Sequence, residues 1–152
     1  MSLGSHVYKF DRIDWIIGRG SEGDTLYFEG KPITENLEYL SRPITDSTYT
    51  GLPLTLYFPI GHMAKVLHYP GRLSVIDILG AINTFYSQPI TLADIDMLDE
   101  EEMDQLYEIV TDVRRGKQIP RIELLEGRTV FKGLTPYRNG YAIDLEFRIP
   151  RK

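Results

Sequence analysis

The chain has 152 residues, 42% of them hydrophobic, 26% charged and 11% aromatic, with no cysteine and a net charge of −5. That make-up describes one globular domain, long enough to bury its own core without a metal or disulfide staple. It excludes a disulfide framework, a thiol nucleophile, a cysteine-ligated zinc site and c-type haem attachment, and no apolar run approaches the roughly 18 residues of a membrane span.

Met1 to His6 lacks the charged flank and greasy stretch of a signal peptide and reads as a disordered or tag-derived leader, so an intracellular chain without membrane contact is expected. Residues 7–17 predict an opening strand or strand pair and Asp24 to Glu29 the next strand, with Gly18 to Asp24 as the turn between them. The stretch from Lys31 to Pro53 is punctuated by Pro32, Pro43, Gly51 and Pro53, with one helical turn over Glu35 to Leu40. Leu54 to Pro59 has strand composition, whereas His62 to Tyr69 fits a strand or a helix.

Ser74 is a good N-cap, and Val75, Ile78, Leu79, Ile82, Phe85 and Tyr86 recur at three- and four-residue steps, which predicts an amphipathic helix ending near Ser87. Thr91 to Asp94 opens a short helical turn. Asp99 then caps a longer helix with Met103, Leu106, Tyr107, Val110 and Val113 as its buried stripe and Arg114, Arg115 and Gly116 as its stop. Beyond it, Arg121 to Glu126 and Arg128 to Lys132 read as extended. Tyr141, Ile143, Leu145, Phe147 and Ile149 alternate with polar residues, and Asn139-Gly140 is the turn pair that joins Arg128–Tyr137 to Tyr141–Ile149 as a hairpin. The expected architecture is one α+β domain over 1–152, with mostly antiparallel strands packed on two central helices. Residues 7–70 form its β-rich part, 71–116 its helical part and 117–150 its C-terminal strands.

Charge is divided by region. Residues 1–72 hold seven basic and eight acidic side chains, residues 73–113 none and ten, and residues 114–152 ten and four. A block of like charge repels itself unless it is solvated or faces opposite charge, so the acidic helices are either a solvated face or a docking surface. Glu100, Glu101, Glu102, Asp104 and Glu108 are the residues such a surface would use for a basic partner or for self-association.

Chemical motifs are weak by comparison. Gly18 to Gly23 satisfies G-x-G-x-x-G, yet the residues after it continue as a strand rather than open a helix, which favours a hairpin turn over a phosphate cradle. His62 and His68 could share a strand face, but no third ligand is evident, and Ser21 lacks a nucleophile elbow. Asp11/Asp14, Asp94/Asp96 and Asp144/Glu146 could supply an acid and a base only if their environments differ. No metal or cofactor is implied. Arg114, Arg115 and Lys117 with Phe131 and Tyr137 could serve single-stranded nucleic acid, against the repulsion of the neighbouring acidic block.

The run Gly71-Arg-Leu-Ser-Val-Ile-Asp-Ile-Leu-Gly-Ala-Ile-Asn-Thr-Phe-Tyr-Ser-Gln-Pro-Ile-Thr91, with the later Phe131-Lys-Gly-Leu134 and its Asn-Gly hairpin, resembles uncharacterised proteins of large nucleocytoplasmic DNA viruses over about residues 71–147. The resemblance implies a setting, host cytoplasm or virion, and no catalytic set. The sequence therefore favours a non-enzymatic interaction or structural protein. A small nucleotide-handling or hydrolytic enzyme using Gly18–Gly23, and a single-strand binder using the basic C-terminal sheet, are the alternatives.

Overall fold

A computed structural model describes residues 8–15, 17, 26–32, 35, 37–42, 54–67 and 73–146. The chain is a mixed α+β domain, and its order follows where apolar residues can be stacked. A short helix α1 (Tyr8–Asp11) leads into β1 (Ile13–Trp15), which pairs antiparallel with β2 (Leu26–Phe28), itself paired with β3 (Lys31–Pro32). Helix α2 (Leu37–Leu40) follows, and then β4 (Leu54–Tyr57) and β5 (Ala64–Leu67) form an antiparallel pair. After the helices come β6 (Val130–Tyr137) and β7 (Gly140–Glu146), the C-terminal hairpin. Strand β7 lies parallel to β4, giving a second sheet of order β5-β4-β7-β6. Gly140 makes that junction possible, because a Cβ there would come within 2.1 Å of the Thr55 carbonyl oxygen.

The sheets meet through aromatic side chains. Phe131 of β6 is buried with Phe10 at 6.5 Å and Trp15 at 5.9 Å between ring centroids, and the Ile17 amide donates to the Thr129 carbonyl at 2.8 Å. On the other side, α3 (Val75–Ser87) buries Val75, Ile78, Leu79, Ile82, Phe85 and Tyr86, the six positions that the spacing predicts. Full burial of such side chains stabilises by roughly 1.5–3 kcal/mol each, and the whole stripe belongs to the common hydrophobic core. Phe85 stacks on Phe58, just beyond β4, at 3.8 Å and 7°.

The segment after α3 holds α4 (Leu92–Asp96), α5 (Glu100–Gln105), α6 (Tyr107–Arg114) and a 3-10 helix over Arg121–Leu125. Several local expectations are corrected here. Residues 8–11 are helical, and the strand begins only at Ile13. The single long helix after Asp99 is two, because Leu106 leaves helical geometry (φ −101°, ψ 20°) while staying buried, and Tyr107 is thereby turned outward, 69% exposed. Arg121 to Glu126 is not extended. Pro120 starts a tight turn that lets Leu124 and Leu125 both face the core, and an extended chain would point these neighbours to opposite sides. The hairpin turn is Arg138-Asn139, one residue earlier than expected, since Tyr137 pairs with Gly140 and Arg138 takes the positive φ of 50°. His62–Tyr69 resolves as strand over Ala64–Leu67. The glycine loop 18–23 with Ser21, as well as His68, Phe147 and Ile149, lie outside the described residues. No helix among the described residues is long and apolar enough to cross a membrane.

Candidate functional site

Three helix starts in succession carry the same reciprocal cap. Ser74 with Asp77, Thr91 with Asp94 and Asp99 with Glu102 each pair an N-cap oxygen with the third helical amide, and return a carboxylate to the N-cap amide. Half of the acidic block is thereby spent inside the fold. Asp77, Asp94 and Glu102 are the returning carboxylates, Asp99 is a cap, and Asp112 pairs with Lys117 at 3.9 Å.

Glu102 is committed twice. Its Oε1 accepts from the Asp99 amide at 3.0 Å and its Oε2 from the Gly61 amide at 3.0 Å, so it ties α5 to the β4–β5 turn and is not free for a partner. The other acids proposed for docking are placed differently. Glu100, Glu101, Asp104 and Glu108 are exposed and make no ion pair among the described residues. A shallow groove of about 420 Å³ runs along the α5–α6 junction, lined by Asp104, Leu106, Tyr107, Glu108 and Glu126. The signal for Tyr107 on this surface was absent from the sequence, because its spacing matches the buried stripe and only the break at Leu106 reverses it.

The basic constellation is not assembled as a stacking surface. Phe131 is 2% exposed and forms part of the aromatic core, so it offers no face to a base. Arg114, Arg115 and Lys117 are exposed at the end of α6, and Tyr137 lies at the hairpin tip against Tyr57 and Arg138. Arg121 is turned inward onto Asp94.

A second concavity, about 460 Å³, lies between the ends of β4 and β7, the β4–β5 turn and the start of α5. Tyr57 and Tyr137 meet there edge to face at 5.1 Å and 71°, and the Tyr57 hydroxyl donates to the Asn139 side-chain oxygen. Asp99, Glu102, Asp144, His62 and Arg138 supply the polar part of the lining. His62 stands in the turn before β5 with φ 50°, and Asp144 accepts a hydrogen bond from the Thr135 hydroxyl. Among the described residues no group of three or more His, Cys, Asp or Glu side chains is placed to hold a metal ion.

The remaining candidate acid–base pairs are spread apart in role. Asp94 is locked to Arg121 and Thr91, Glu146 pairs with Lys132 at 3.6 Å, and Asp14 is exposed on β1. Strands β1 and β2, which precede and follow residues 18–23 in the chain, are antiparallel partners, Ile13 opposite Phe28 and Trp15 opposite Leu26. One buried titratable group stands alone: the Tyr86 hydroxyl has no hydrogen-bond partner among the described residues, and burial pushes its pKa well above the usual tyrosine value against a weaker opposing field from Arg128.

Comparison with known proteins adds a family without an activity. A model described as a family of unknown function, DUF6699, matches residues 13–140. No curated protein and no solved structure matches.

Proposed function

The chain belongs to the DUF6699 family, and from that premise we propose that it is a non-enzymatic interaction protein whose acidic helical face receives a basic protein segment. The observation that carries this reading is the sorting of the acidic block. Carboxylates needed by the fold are capped or paired, and Glu100, Glu101, Asp104 and Glu108 are left exposed, Asp104 and Glu108 lining one groove with the exposed Tyr107. Self-repulsion among them is relieved by an incoming cation, and an exposed tyrosine adds flat apolar area at low entropic cost. The Tyr107 ring also offers a cation–π contact to lysine or arginine. Leu92 and Met97, 63% and 43% exposed, extend the apolar content of the same helical layer.

The test uses a short synthetic peptide rich in arginine and lysine, titrated calorimetrically at two salt concentrations. The expected result is binding that weakens with salt, since exposed charges are screened beyond a Debye length of about 10 Å at 0.1 M. Reversal of Glu100, Glu101, Asp104 and Glu108 to lysine abolishes it with the circular dichroism unchanged. Glu102 is left intact because it holds α5 in place. Undiminished binding by the charge-reversed protein removes the proposal.

A further inference from the structure

The cleft between β4, β7 and the start of α5 is lined by Asp99, Glu102 and Asp144, the first two being sequence neighbours of the docking acids Glu100, Glu101 and Asp104 without belonging to that face. We propose that it is the anchor pocket for one arginine or lysine side chain of the basic partner; the inference rests on the docking reading and adds the residue type that the partner must carry.

Three features support it independently of the acidic surface. First, the cleft is a real concavity of about 460 Å³, within the range of sites that enclose a ligand group. Second, Tyr57 and Tyr137 stand at 71° to each other, so a flat or tetrahedral cation entering beside them meets an aromatic wall as well as charge. Third, the carboxylate oxygens are unequally used. Both Glu102 oxygens are engaged by amides, whereas Asp99 accepts the Glu102 amide on Oδ1 and Asp144 accepts the Thr135 hydroxyl on Oδ2, which leaves one oxygen of each without a protein donor among the described residues.

The balance of charge selects the ligand. Three carboxylates line the cleft against one guanidinium, Arg138, which lies 5.3 Å from the Tyr137 ring and makes no ion pair among the described residues. A phosphate or carboxylate would meet a surplus of negative charge, and a neutral group would leave the two free oxygens unused. A bare metal ion is disfavoured by the lack of a clustered ligand set among the described residues. An organic cation on a long side chain uses the oxygens and the rings together.

Arg138 gives the proposal a sign. It is the cleft's own competing cation, so Arg138→Gln tightens the arginine-rich peptide severalfold, whereas Asp144→Asn weakens it about tenfold, the scale of one charge-assisted hydrogen bond. The asparagine keeps an oxygen for Thr135, which protects the fold. Ring proton signals of Tyr57 and Tyr137, followed by NMR, shift on addition of peptide. Weaker binding by Arg138→Gln, or unchanged affinity in Asp144→Asn with silent ring signals, overturns the pocket. If either result accompanies loss of binding in the charge-reversed helical variant, the docking face stands and only the anchor falls. If the helical variant binds normally, the docking reading falls instead.

Discussion

Arg121 holds Asp94 across the helical layer: its Nε donates to Oδ2 at 2.9 Å and its Nη2 to Oδ1 at 3.4 Å, with both side chains largely buried. The same guanidinium reaches Gln88 Oε1 at 3.0 Å and lies 4.3 Å from the Phe85 ring, while the Arg121 amide donates to the Gln88 carbonyl at 2.8 Å. One residue thus fastens the end of α3 and the start of α4 to the turn that leads into the C-terminal hairpin. Part of the division between acidic and basic blocks is therefore internal wiring and not a surface property.

Removing either partner leaves a buried charge without its counter-ion, which costs about 3–5 kcal/mol in buried pairs. Arg121→Ala is expected near the lower end, because the pair keeps some contact with solvent. Arg121→Lys recovers little, since a point charge cannot reproduce the two-pronged contact. Urea unfolding measures both; a loss under about 1 kcal/mol in Arg121→Ala, the scale of an exposed pair, would show that the bridge is incidental.

How far the sequence reached depends on whether a residue's place is set locally. The six-residue stripe of α3 and the caps at Ser74, Thr91 and Asp99 were legible, because period and cap chemistry act within one turn. Tyr107 was not, because one residue outside helical geometry at Leu106 rotates everything after it. Phe131 reads as a surface aromatic among basic residues, yet the bulge between Phe131 and Gly133 and the packing of α1 against β6 place it in the core, which only long-range pairing decides. Of the residues proposed for docking, the four exposed acids were legible as a charge run, whereas the engagement of Glu102 with Gly61 joins positions 41 apart and leaves no local trace.

Two glycines should respond oppositely to alanine. Gly140 sits where a Cβ would come within 2.1 Å of the Thr55 carbonyl oxygen, backbone that cannot swing aside, so Gly140→Ala pushes β7 from β4 and costs about 2 kcal/mol or more. Gly80 lies exposed within α3 with nothing within 4 Å of an added Cβ, and Gly80→Ala stabilises by about 0.4–1 kcal/mol through the unfolded chain. Thermal melts of the two variants moving in the same direction would contradict this placement.

The Tyr86 hydroxyl, without a hydrogen-bond partner among the described residues, is a built-in weakness. Tyr86→Phe removes a buried polar atom while keeping the ring contacts to Phe58 and Phe85, and is expected to stabilise by about 1–3 kcal/mol at neutral pH. The pH sign follows from the raised pKa. Below the ordinary value of 10.0 both states keep the proton; above it the unfolded chain loses its proton first, so the folded state binds more protons and stability falls as pH rises. Chemical unfolding of wild type should therefore weaken faster than that of Tyr86→Phe as pH is raised past 10.0, and parallel curves would mean that the hydroxyl finds a partner in solution.

Helix α5 has no fully buried residue of its own, so its order rests on its ends. Asp99→Ala removes the side chain that accepts the Glu102 amide at 2.8 Å, a cap worth about 1 kcal/mol. Glu102→Ala releases the Asp99 and Gly61 amides together and should loosen the segment further. Because the helix contributes little to the core, the loss is local: amide exchange over residues 100–105 accelerates about fivefold or more in Asp99→Ala, as a 1 kcal/mol change dictates, while protection in α3 is nearly unchanged. Equal acceleration in α3 would mean that α5 unfolds only with the whole domain. A frayed α5 also disperses Glu100, Glu101 and Asp104, and Asp99→Ala takes one carboxylate from the cleft, so the arginine-rich peptide should bind this variant more weakly on both counts.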